Sequence, residues 1–285
     1  MIIEYTDEYN EKLIHFYRQL QRNIPFWMNL SNDSIYQSLF NDVDKFGKNK
    51  FNELKTYIYL DDFRNIKGFI QFGEPAYIFK DGKQIYDSNT GVIRQVYCCE
   101  SIYNICDNLL DIAFKWFSKI GKKEIYSFYH ALGMSCAFSN GKLPCTFEHI
   151  TTSLYNKGFV IEHENYVYKL ELALCNNNDL ILEVDKKNNL HILSLLNDND
   201  ILGKCEIQTI FEQPTAYLNW IYIDSKEVNK GYGTLFMNKI NNYLLGLGFK
   251  YLLCDTSNTN YIAQKYYIKN GFEFVSKVYS FILDN

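Results

Sequence analysis

The chain has 285 residues, which exceeds one typical domain and predicts two domains that can each bury a hydrophobic core. Hydrophobic residues make up 47% of the sequence and aromatic residues 17%, which excludes a disordered protein. The net charge is -4 and no more than two Lys or Arg residues are consecutive. This charge pattern argues against nucleic acid and against an anionic membrane surface as partners.

From the sequence we expect neither a secretory signal nor a membrane-spanning helix. The first residues enter an amphipathic pattern at once, and no uncharged apolar run approaches the length of a membrane-spanning helix. The eight cysteines include no C-x-x-C pair and no His spacing suited to zinc. Several of them lie inside predicted strands and helices. We therefore expect reduced, buried thiols, no metal site and a cytoplasmic location.

The first part of the chain predicts an alternation of strands and helices. Period-two apolar runs predict strands, and helical spacing of apolar residues predicts helices. The predicted strands are residues 1–6, 54–60, 66–72, 90–99, 124–129, 159–162 and 166–172. The predicted helices are residues 8–23, 33–43, 103–120 and a segment from about 151 to 158.

A polar segment, CNNND at residues 175–179, predicts a linker and a domain division after residue 174. The predicted strands beyond it are residues 180–184, 190–196, 201–211, 215–223 and 251–254, with a closing pair inside 271–283. Helices are predicted from the glycines near 231 to about 245 and over 260–269.

The two halves of the sequence resemble each other. The dipeptide Gly158-Phe159 recurs as Gly271-Phe272, and residues after each dipeptide match at the same offset. The matched pairs are Tyr166 with Tyr279, Tyr168 with Phe281, and Leu170 with Leu283. Two copies of one α/β unit is the simplest interpretation.

A glycine-bearing loop joins a predicted strand to a predicted helix in the second half. Its sequence is KGYGT, with glycines at 231 and 233. Glycines let successive backbone N–H groups close on an anion at the positive end of a helix dipole, which predicts a pyrophosphate site. Glycines placed there for steric reasons alone are the alternative, and the context of the loop has to decide between them.

A second motif follows this loop helix, with the pattern N-x-x-A-x-x-x-Y-x-x-x-G-F from Asn260 to Phe272. Together with K-G-x-G it resembles the GNAT superfamily of acyl-CoA N-acyltransferases, over about residues 190–283. The resemblance implies an α/β fold of the α+β mixed-sheet kind, with two tandem GNAT-like domains. We expect residues 1–174 to be a degenerate copy and residues 175–285 to bind acetyl-CoA.

The resemblance implies roles for individual residues of the second half. The backbone of the predicted strand at Ile221, Tyr222 and Ile223 would pair with the pantetheine arm and polarise the thioester carbonyl. Asn260 would contact the cofactor, and Tyr267 would be the general acid for the departing thiolate. The loop residues expected at the coenzyme A pyrophosphate are Asn229, Lys230, Gly231, Tyr232, Gly233 and Thr234.

Each of these roles has a plainer alternative. Tyr267 is otherwise a core aromatic residue, Asn260 a helix N-cap, and Lys230 a solvated loop charge. Val228 stands where the family has Gln or Arg. Likewise, the two cysteines at 205 and 254 are interpreted as buried apolar side chains and not as nucleophiles.

The general base stays open at this stage. Residues 224–238 resemble the corresponding loop of relatives that acetylate histones, but no other feature supports a histone substrate. Those relatives place a catalytic Glu where this sequence has Tyr217. The remaining candidates are Glu206, Glu212, Asp224 and an ordered water.

The first half lacks these motifs. Its segment corresponding to NKGYGT is CCESIY at residues 98–103, without glycine, and Leu154 stands opposite Tyr267. We therefore expect no acyl-CoA site there. As a hypothesis, the first domain supplies part of the acceptor wall, with His130, Glu148 and His149 as lining candidates.

The sequence thus predicts an N-acetyltransferase that moves the acetyl group of acetyl-CoA to an amine of a small molecule or peptide by direct attack. The alternatives are a non-catalytic acyl-CoA-binding regulatory protein and an interaction domain with an exposed apolar patch. Monomer and homodimer both remain open.

Overall fold

The computed structural model describes residues 1–20, 24, 30–44, 46–100, 104–134, 141–176, 179–198, 200–210 and 213–284. None of the helices in these ranges has the length and apolar content needed to cross a membrane. The chain divides into two compact units. The first consists of Met1–Glu164 with Lys277–Asn285, and the second of Asn165–Ser276.

The first unit is a mixed sheet with helices packed against it. Its strands are β1 (Ile2–Glu4), β2 (Phe51–Leu60), β3 (Ile66–Pro75), β4 (Ile78–Lys80), β5 (Lys83–Ile85), β6 (Thr90–Cys98), β7 (Glu124–Ser127) and β8 (Leu143–Pro144). Its helices are α1 (Asn10–Leu20), α2 (Asn32–Phe40), α3 (Ile105–Lys119) and α4 (Glu148–Asn156). Strands β1, β2, β3 and β6 pair antiparallel in that order, and β6 pairs in parallel with β7. The β4–β5 hairpin is separate and was not predicted from the sequence.

The second unit repeats this plan. It starts within β9 (Phe159–Glu171) and continues with β10 (Ile181–Lys187), β11 (Leu190–Asn197), β12 (Asp200–Thr209), β13 (Thr215–Ile223), α5 (Tyr232–Gly246), β14 (Tyr251–Ser257) and α6 (Tyr261–Lys269). Strands β10 to β13 pair antiparallel in chain order, and β13 pairs in parallel with β14. In both units a helix therefore connects two parallel strands, as the internal resemblance predicts.

Two long strands replace the short pairs that the sequence predicts. β9 runs without interruption through residues 163–165, which separate two predicted strands in the sequence analysis. The closing pair inside residues 271–283 is also one strand, β15 (Glu273–Leu283). The polar residues 163–165 are exposed or half-buried, and polar side chains at such positions are compatible with an extended strand, so they do not end it.

The division into units follows these two strands. Residues 165–171 of β9 pair with β14 in the second unit, while the end of β15 pairs with β7 in the first unit through Phe281 and Ser127. The compact units therefore separate at 164/165 and 276/277, and not at the linker. The domain boundary at residue 174 stays a prediction.

The core of the second unit lies between the sheet and its two helices. Alternate residues of the strands point toward α5 and α6, where they meet apolar residues at helical spacing. The members of this core include Leu193, Leu195, Cys205, Ile207, Leu218, Phe236, Ile240, Leu244, Leu252 and Cys254. Because β13 and α5 are anchored in it, the loop between them has fixed ends.

The expectation of reduced thiols is wrong for two of the eight cysteines. Cys98, the last residue of β6, forms a disulfide with Cys106 in the first turn of α3. Their Cα atoms are 5.9 Å apart, within the range that a disulfide spans. The strand end and the helix start come together only in the fold, so the spacing along the sequence gives no sign of the pair. Cys205 and Cys254 are free and buried, as expected.

Candidate functional site

Strands β13 and β14 separate from each other partway along their length. Their parallel pairing covers Thr215–Leu218 against Tyr251–Cys254 and stops there, although both strands continue. On its other edge β13 pairs with β12, and the register shifts so that Asn219 is an extra residue between Leu218 and Trp220. A β-bulge of this kind bends a strand and increases its twist. Within the described residues, a cleft with unpaired strand edges therefore opens beyond Leu218.

The end of β13 presents two different faces. Ile221 and Ile223 pack against the core of the second unit, which holds the strand in place. Trp220 and Tyr222 point the other way, are partly exposed, and stack on each other with ring centroids 5.9 Å apart. The three residues predicted to line the pantetheine arm thus lie at the edge of the cleft.

The loop after β13 has a backbone conformation suited to anions. Asn229 has φ 65° and Gly231 has φ 89°, both in the left-handed region. In the part of the chain that the structure describes, the backbone N–H groups of residues 229–233 have no hydrogen-bond acceptor. Helix α5 begins at Tyr232 without a side-chain cap, and its positive dipole end adds to these donors. Left-handed residues that direct successive N–H groups to one point form a concave anion site.

The side chains of the same loop contribute less to an anion site than its backbone does. Val228 is 50% exposed, and the ammonium of Lys230 lies 3.1 Å from the Glu227 carboxylate in a solvated ion pair. Asp224 accepts a hydrogen bond from the backbone N–H of Lys226 at 2.9 Å and so closes the turn after β13. An exposed carboxylate occupied in this way is a poor candidate for the general base.

The two glycines of the loop serve different purposes. A Cβ on Gly231 would have nothing within 4 Å of it, but the positive φ of this residue disfavours other residue types. Gly233 is sterically required, because a Cβ there would lie 2.9 Å from the Tyr266 ring. The Tyr266 hydroxyl also donates to the Gly233 carbonyl at 2.8 Å. Thr234 donates its N–H to the Gly231 carbonyl at 3.1 Å, and Tyr232 packs on the core.

Tyr267 lies in the core of the second unit and is only 6% exposed. Its ring is 5.9 Å from that of Tyr168 and 5.2 Å from that of Phe272. Burial, followed by the neighbouring Cys254, raises the pKa of Tyr267 well above its ordinary value, and the hydroxyl shares a hydrogen bond with the Cys254 thiol. The side chain is thus a neutral donor beside the residue where the two strands separate. Both interpretations of Tyr267, core aromatic and proton donor, fit this position.

Asn260 has the structural role that the sequence left as its alternative. Its side-chain oxygen accepts a hydrogen bond from the backbone N–H of Ala263 at 3.2 Å and caps α6. A cap of this kind stabilises the helix that carries Tyr267.

The position of the expected catalytic Glu holds a donor instead of a carboxylate. Tyr217 is 1% exposed and its hydroxyl donates to a carboxylate oxygen of Asp255 on β14. Burial, and then Asp255, raise the pKa of Tyr217 well above its ordinary value. Sequence reasoning missed Asp255, whose only local signal is a charge directly after the apolar strand residues 251–254. Of the other candidates, Glu206 is buried and accepts from Asn219 at 3.0 Å, and Glu212 lies outside the described residues.

Residues 151–272 match the family model described as the acetyltransferase (GNAT) family. This region belongs to the GNAT family. A search of curated protein sequences finds no match to the chain.

Solved structures show that the whole chain has a tandem GNAT fold. One is a tandem GNAT protein from the clavulanic acid biosynthesis pathway, with 9% identity, coverage of 99% of this chain and 97% of that one, and a TM-score of 0.71. Another is a GCN5-related N-acetyltransferase from Sphaerobacter thermophilus, with 5% identity, coverage of 99% of this chain and 94% of that one, and a TM-score of 0.68. The predicted fold is therefore confirmed.

In the first GNAT-like unit, the segment that corresponds to the loop, residues 98–103, contains no glycine in its sequence. The parallel pairing of β6 with β7 ends at Ile93 and Ser127. Beyond that point the rings of Tyr97 and Phe128 pack 5.7 Å apart in the core, and the disulfide joins β6 to α3. Leu154, opposite Tyr267 in the repeat, is fully buried. Among the described residues, no group of three His, Cys, Asp or Glu side chains is placed to hold a metal ion.

Proposed function

We propose that the second unit binds acetyl-CoA and transfers its acetyl group to an amine of a small molecule or peptide by direct attack. The observation that carries this proposal is the combination of separating strands β13 and β14 with the N–H-rich loop at residues 229–233. The loop lies at the end of the same strand that borders the cleft. A molecule with a pyrophosphate at one end and an extended arm matches both features.

The loop would bind the pyrophosphate chiefly through its backbone. The N–H groups of residues 229–233 and the start of α5 supply donors and partial positive charge. Lys230 would turn from Glu227 to the phosphates, which is an exchange of one exposed ion pair for another. The arm would then lie along the unpaired edge of β13, where the backbone at Ile221–Ile223 can hydrogen-bond to its amides.

The chemical step needs a nucleophile, a site for the oxyanion and a proton donor for sulfur. The amine nitrogen attacks the thioester carbonyl carbon, and backbone N–H groups of β13 stabilise the oxyanion of the tetrahedral intermediate. The C–S bond then breaks, and the departing sulfur takes its proton from the Tyr267 hydroxyl. The raised pKa of Tyr267 keeps this hydroxyl protonated at neutral pH. The proton lost by the amine returns to Tyr267 through solvent.

A second candidate function is binding of an acyl-CoA without catalysis. It is favoured by Tyr217, which places a hydroxyl donor where related enzymes have a carboxylate base. It is also favoured by the hydrogen bond that occupies Tyr267 with Cys254. Both candidates need the same cleft and loop.

Thiol release from acetyl-CoA over a panel of primary amines separates the two functions. We expect release that depends on an added amine and gives an N-acetylated product by mass spectrometry. Binding of acetyl-CoA without amine-dependent release would support the second candidate. Absence of acetyl-CoA binding would contradict both. A cytoplasmic location and a monomeric or homodimeric state are also proposals. None of these outcomes depends on them.

A further inference from the structure

The cleft between β13 and β14 is closed on one of its two faces. Ile221 and Ile223 of β13 pack against the core formed with α5 and α6, and Cys254 of β14 and Tyr267 of α6 belong to that core. A thioester held in the cleft therefore has these helices on one side. A second substrate has to reach it from the opposite face of the sheet.

Two aromatic side chains stand on that opposite face. Trp220 lies two residues beyond Leu218, the last residue of β13 that pairs with β14, and Tyr222 follows on the same face. Their rings stack with centroids 5.9 Å apart and planes 21° apart, while 38% of Trp220 and 50% of Tyr222 remain exposed. Each residue of a strand advances about 3.3 Å, so the backbone of Trp220 is about 7 Å from the point where the cleft opens.

The first unit contains the same two positions. Strands β3 and β6 pair in the same register as β12 and β13, and each pairing contains one bulge at the same place. By this register Tyr97 corresponds to Tyr222, and Gln95 corresponds to Trp220. Corresponding positions of the two units therefore lie at the same place in their sheets.

Helix α1 supplies an aromatic ring to this face of the first unit. The ring of Tyr17 meets that of Tyr97 edge-on, with centroids 6.3 Å apart, and both residues are buried. In the second unit, residues 165–176, 179–198, 200–210 and 213–276 form no helix that corresponds to α1. The second unit thus exposes its aromatic pair at the place where the first unit packs an internal ring against Tyr97.

We propose that the amine acceptor is an arylalkylamine whose ring packs on Trp220 and Tyr222, in the position that Tyr17 takes against Tyr97 in the first unit. This inference rests on the proposed function and names the substrate class of the same site. Aromatic pairs prefer offset or edge-to-face contacts and gain free energy beyond the apolar area that they bury. A short alkyl chain between ring and nitrogen lets the amine reach the cleft. Trp220 and Tyr222 determine specificity and touch no reacting atom.

The test compares two amines with acetyl-CoA as donor. Phenethylamine carries a benzene ring, 2-cyclohexylethylamine carries a saturated ring in the same place, and both are cations at neutral pH. The measured quantity is the ratio of kcat/KM for phenethylamine to kcat/KM for 2-cyclohexylethylamine. Comparing this ratio between variants cancels the difference in hydration and in pKa of the two amines. In Trp220→Leu we expect it to fall about three- to tenfold, the usual gain of an aromatic pair beyond its buried area.

Three further variants make the test decisive. Tyr222→Leu should lower the same ratio and replaces Trp220→Leu if that variant is poorly folded. Trp220→Phe keeps a ring and should retain most of the ratio. Tyr261→Leu, an exposed position on α6, is the control and should leave the ratio unchanged. The Kd of acetyl-CoA should stay within a factor of two or so in all of them. A purely structural role for the pair would change kcat/KM for both amines equally and leave the ratio as it is.

An unchanged ratio in Trp220→Leu and Tyr222→Leu would overturn the proposal. It would also be overturned if Trp220→Phe lowers the ratio as much as Trp220→Leu does, or if the wild-type chain acetylates other amines but not phenethylamine. Failure of the proposed function is a different result, since the wild-type chain would then bind no acetyl-CoA, or would bind it and acetylate no amine of the panel.

Discussion

The Tyr266 hydroxyl donates to the Gly233 carbonyl at 2.8 Å, and the Tyr266 ring occupies the space where a Cβ on Gly233 would lie. Helix α6 is thereby fastened to the first turn of α5. The glycine that sequence analysis assigned to phosphate binding is thus also a packing requirement. The effect of a Gly233 substitution on the free energy of unfolding therefore has to be known before its effect on acetyl-CoA binding is interpreted.

Gly233→Ala should lower the free energy of unfolding by roughly 1–3 kcal/mol, as overpacking does at a close contact. Gly246→Ala is a matched control at the other end of α5, where nothing lies within 4 Å of the added methyl group. It should stabilise the protein by about 0.5–1 kcal/mol. Urea unfolding measures both. Equal free energies of unfolding for the two variants would contradict this prediction and show that the Tyr266 ring moves to make room for the methyl group.

Tyr267→Phe should reduce kcat by roughly 10²–10⁴-fold, which is the usual contribution of a positioned proton donor, and leave the Kd of acetyl-CoA unchanged. The control is Tyr261→Phe, an exposed position on the same helix that should change neither value. Because the pKa of Tyr267 is raised well above its ordinary value, its ionisation should not limit activity below about pH 10. Unchanged turnover in Tyr267→Phe would remove this residue from the mechanism.

His191 should make stability depend on pH. Burial, and then Lys186, lower its pKa, while the Tyr243 hydroxyl lies 2.8 Å from Nδ1 and the Thr209 hydroxyl 3.3 Å from Nε2. The unfolded chain therefore takes up a proton near pH 6.5, where the folded chain stays neutral. The contribution of neutral His191 to the free energy of unfolding is therefore complete above about pH 6.5 and is lost as the pH falls below that value.

The measurement is the free energy of unfolding by urea between pH 5 and 8 or so. His191→Gln should flatten the decrease on the acid side, whereas the exposed His15→Gln should retain it. Identical slopes in the wild type and in His191→Gln would contradict the assignment.

The disulfide predicts a covalent link between peptides that contain Cys98 and Cys106 in protein digested without reductant. Replacing both cysteines by Ser should cost roughly 2–3 kcal/mol of stability, as expected for a short closed loop. Acetyl-CoA affinity should stay the same, because the pair belongs to the first unit. Cys175→Ser, which changes a free cysteine, is the control.

Absence of the linked peptides would show that both thiols are reduced, as the cysteine spacing predicts. A persistent link would count against a cytoplasmic location, since the cytosol keeps thiols reduced.

Local patterns predicted the elements that carry the site. The bounds of β13 follow from its alternating apolar residues, and the left-handed turn at Gly231 follows from a residue type that tolerates positive φ. The cap at Asn260 was the stated alternative for that residue. Each of these features depends on a few consecutive residues.

The features that sequence analysis missed depend on residues far apart along the chain. Tyr217 meets Asp255 only because β13 and β14 are parallel neighbours in a particular register. The close approach of Gly233 to Tyr266 depends on the packing of two helices. The placement of β9 and β15 depends on the choice of strand partners, which alternation of side chains does not encode.

Calorimetric titration of acetyl-CoA into the full chain tests most directly whether the loop at residues 229–233 and the cleft form an acyl-CoA site. We expect saturable binding at one site per chain, lost in Gly231→Val, where a β-branched residue is forced to positive φ, and retained in Gly246→Ala. Gly231→Asn, which tolerates the left-handed region, should bind with intermediate affinity. No heat of binding in the wild-type chain, or equal affinity in Gly231→Val, would contradict the assignment of this site.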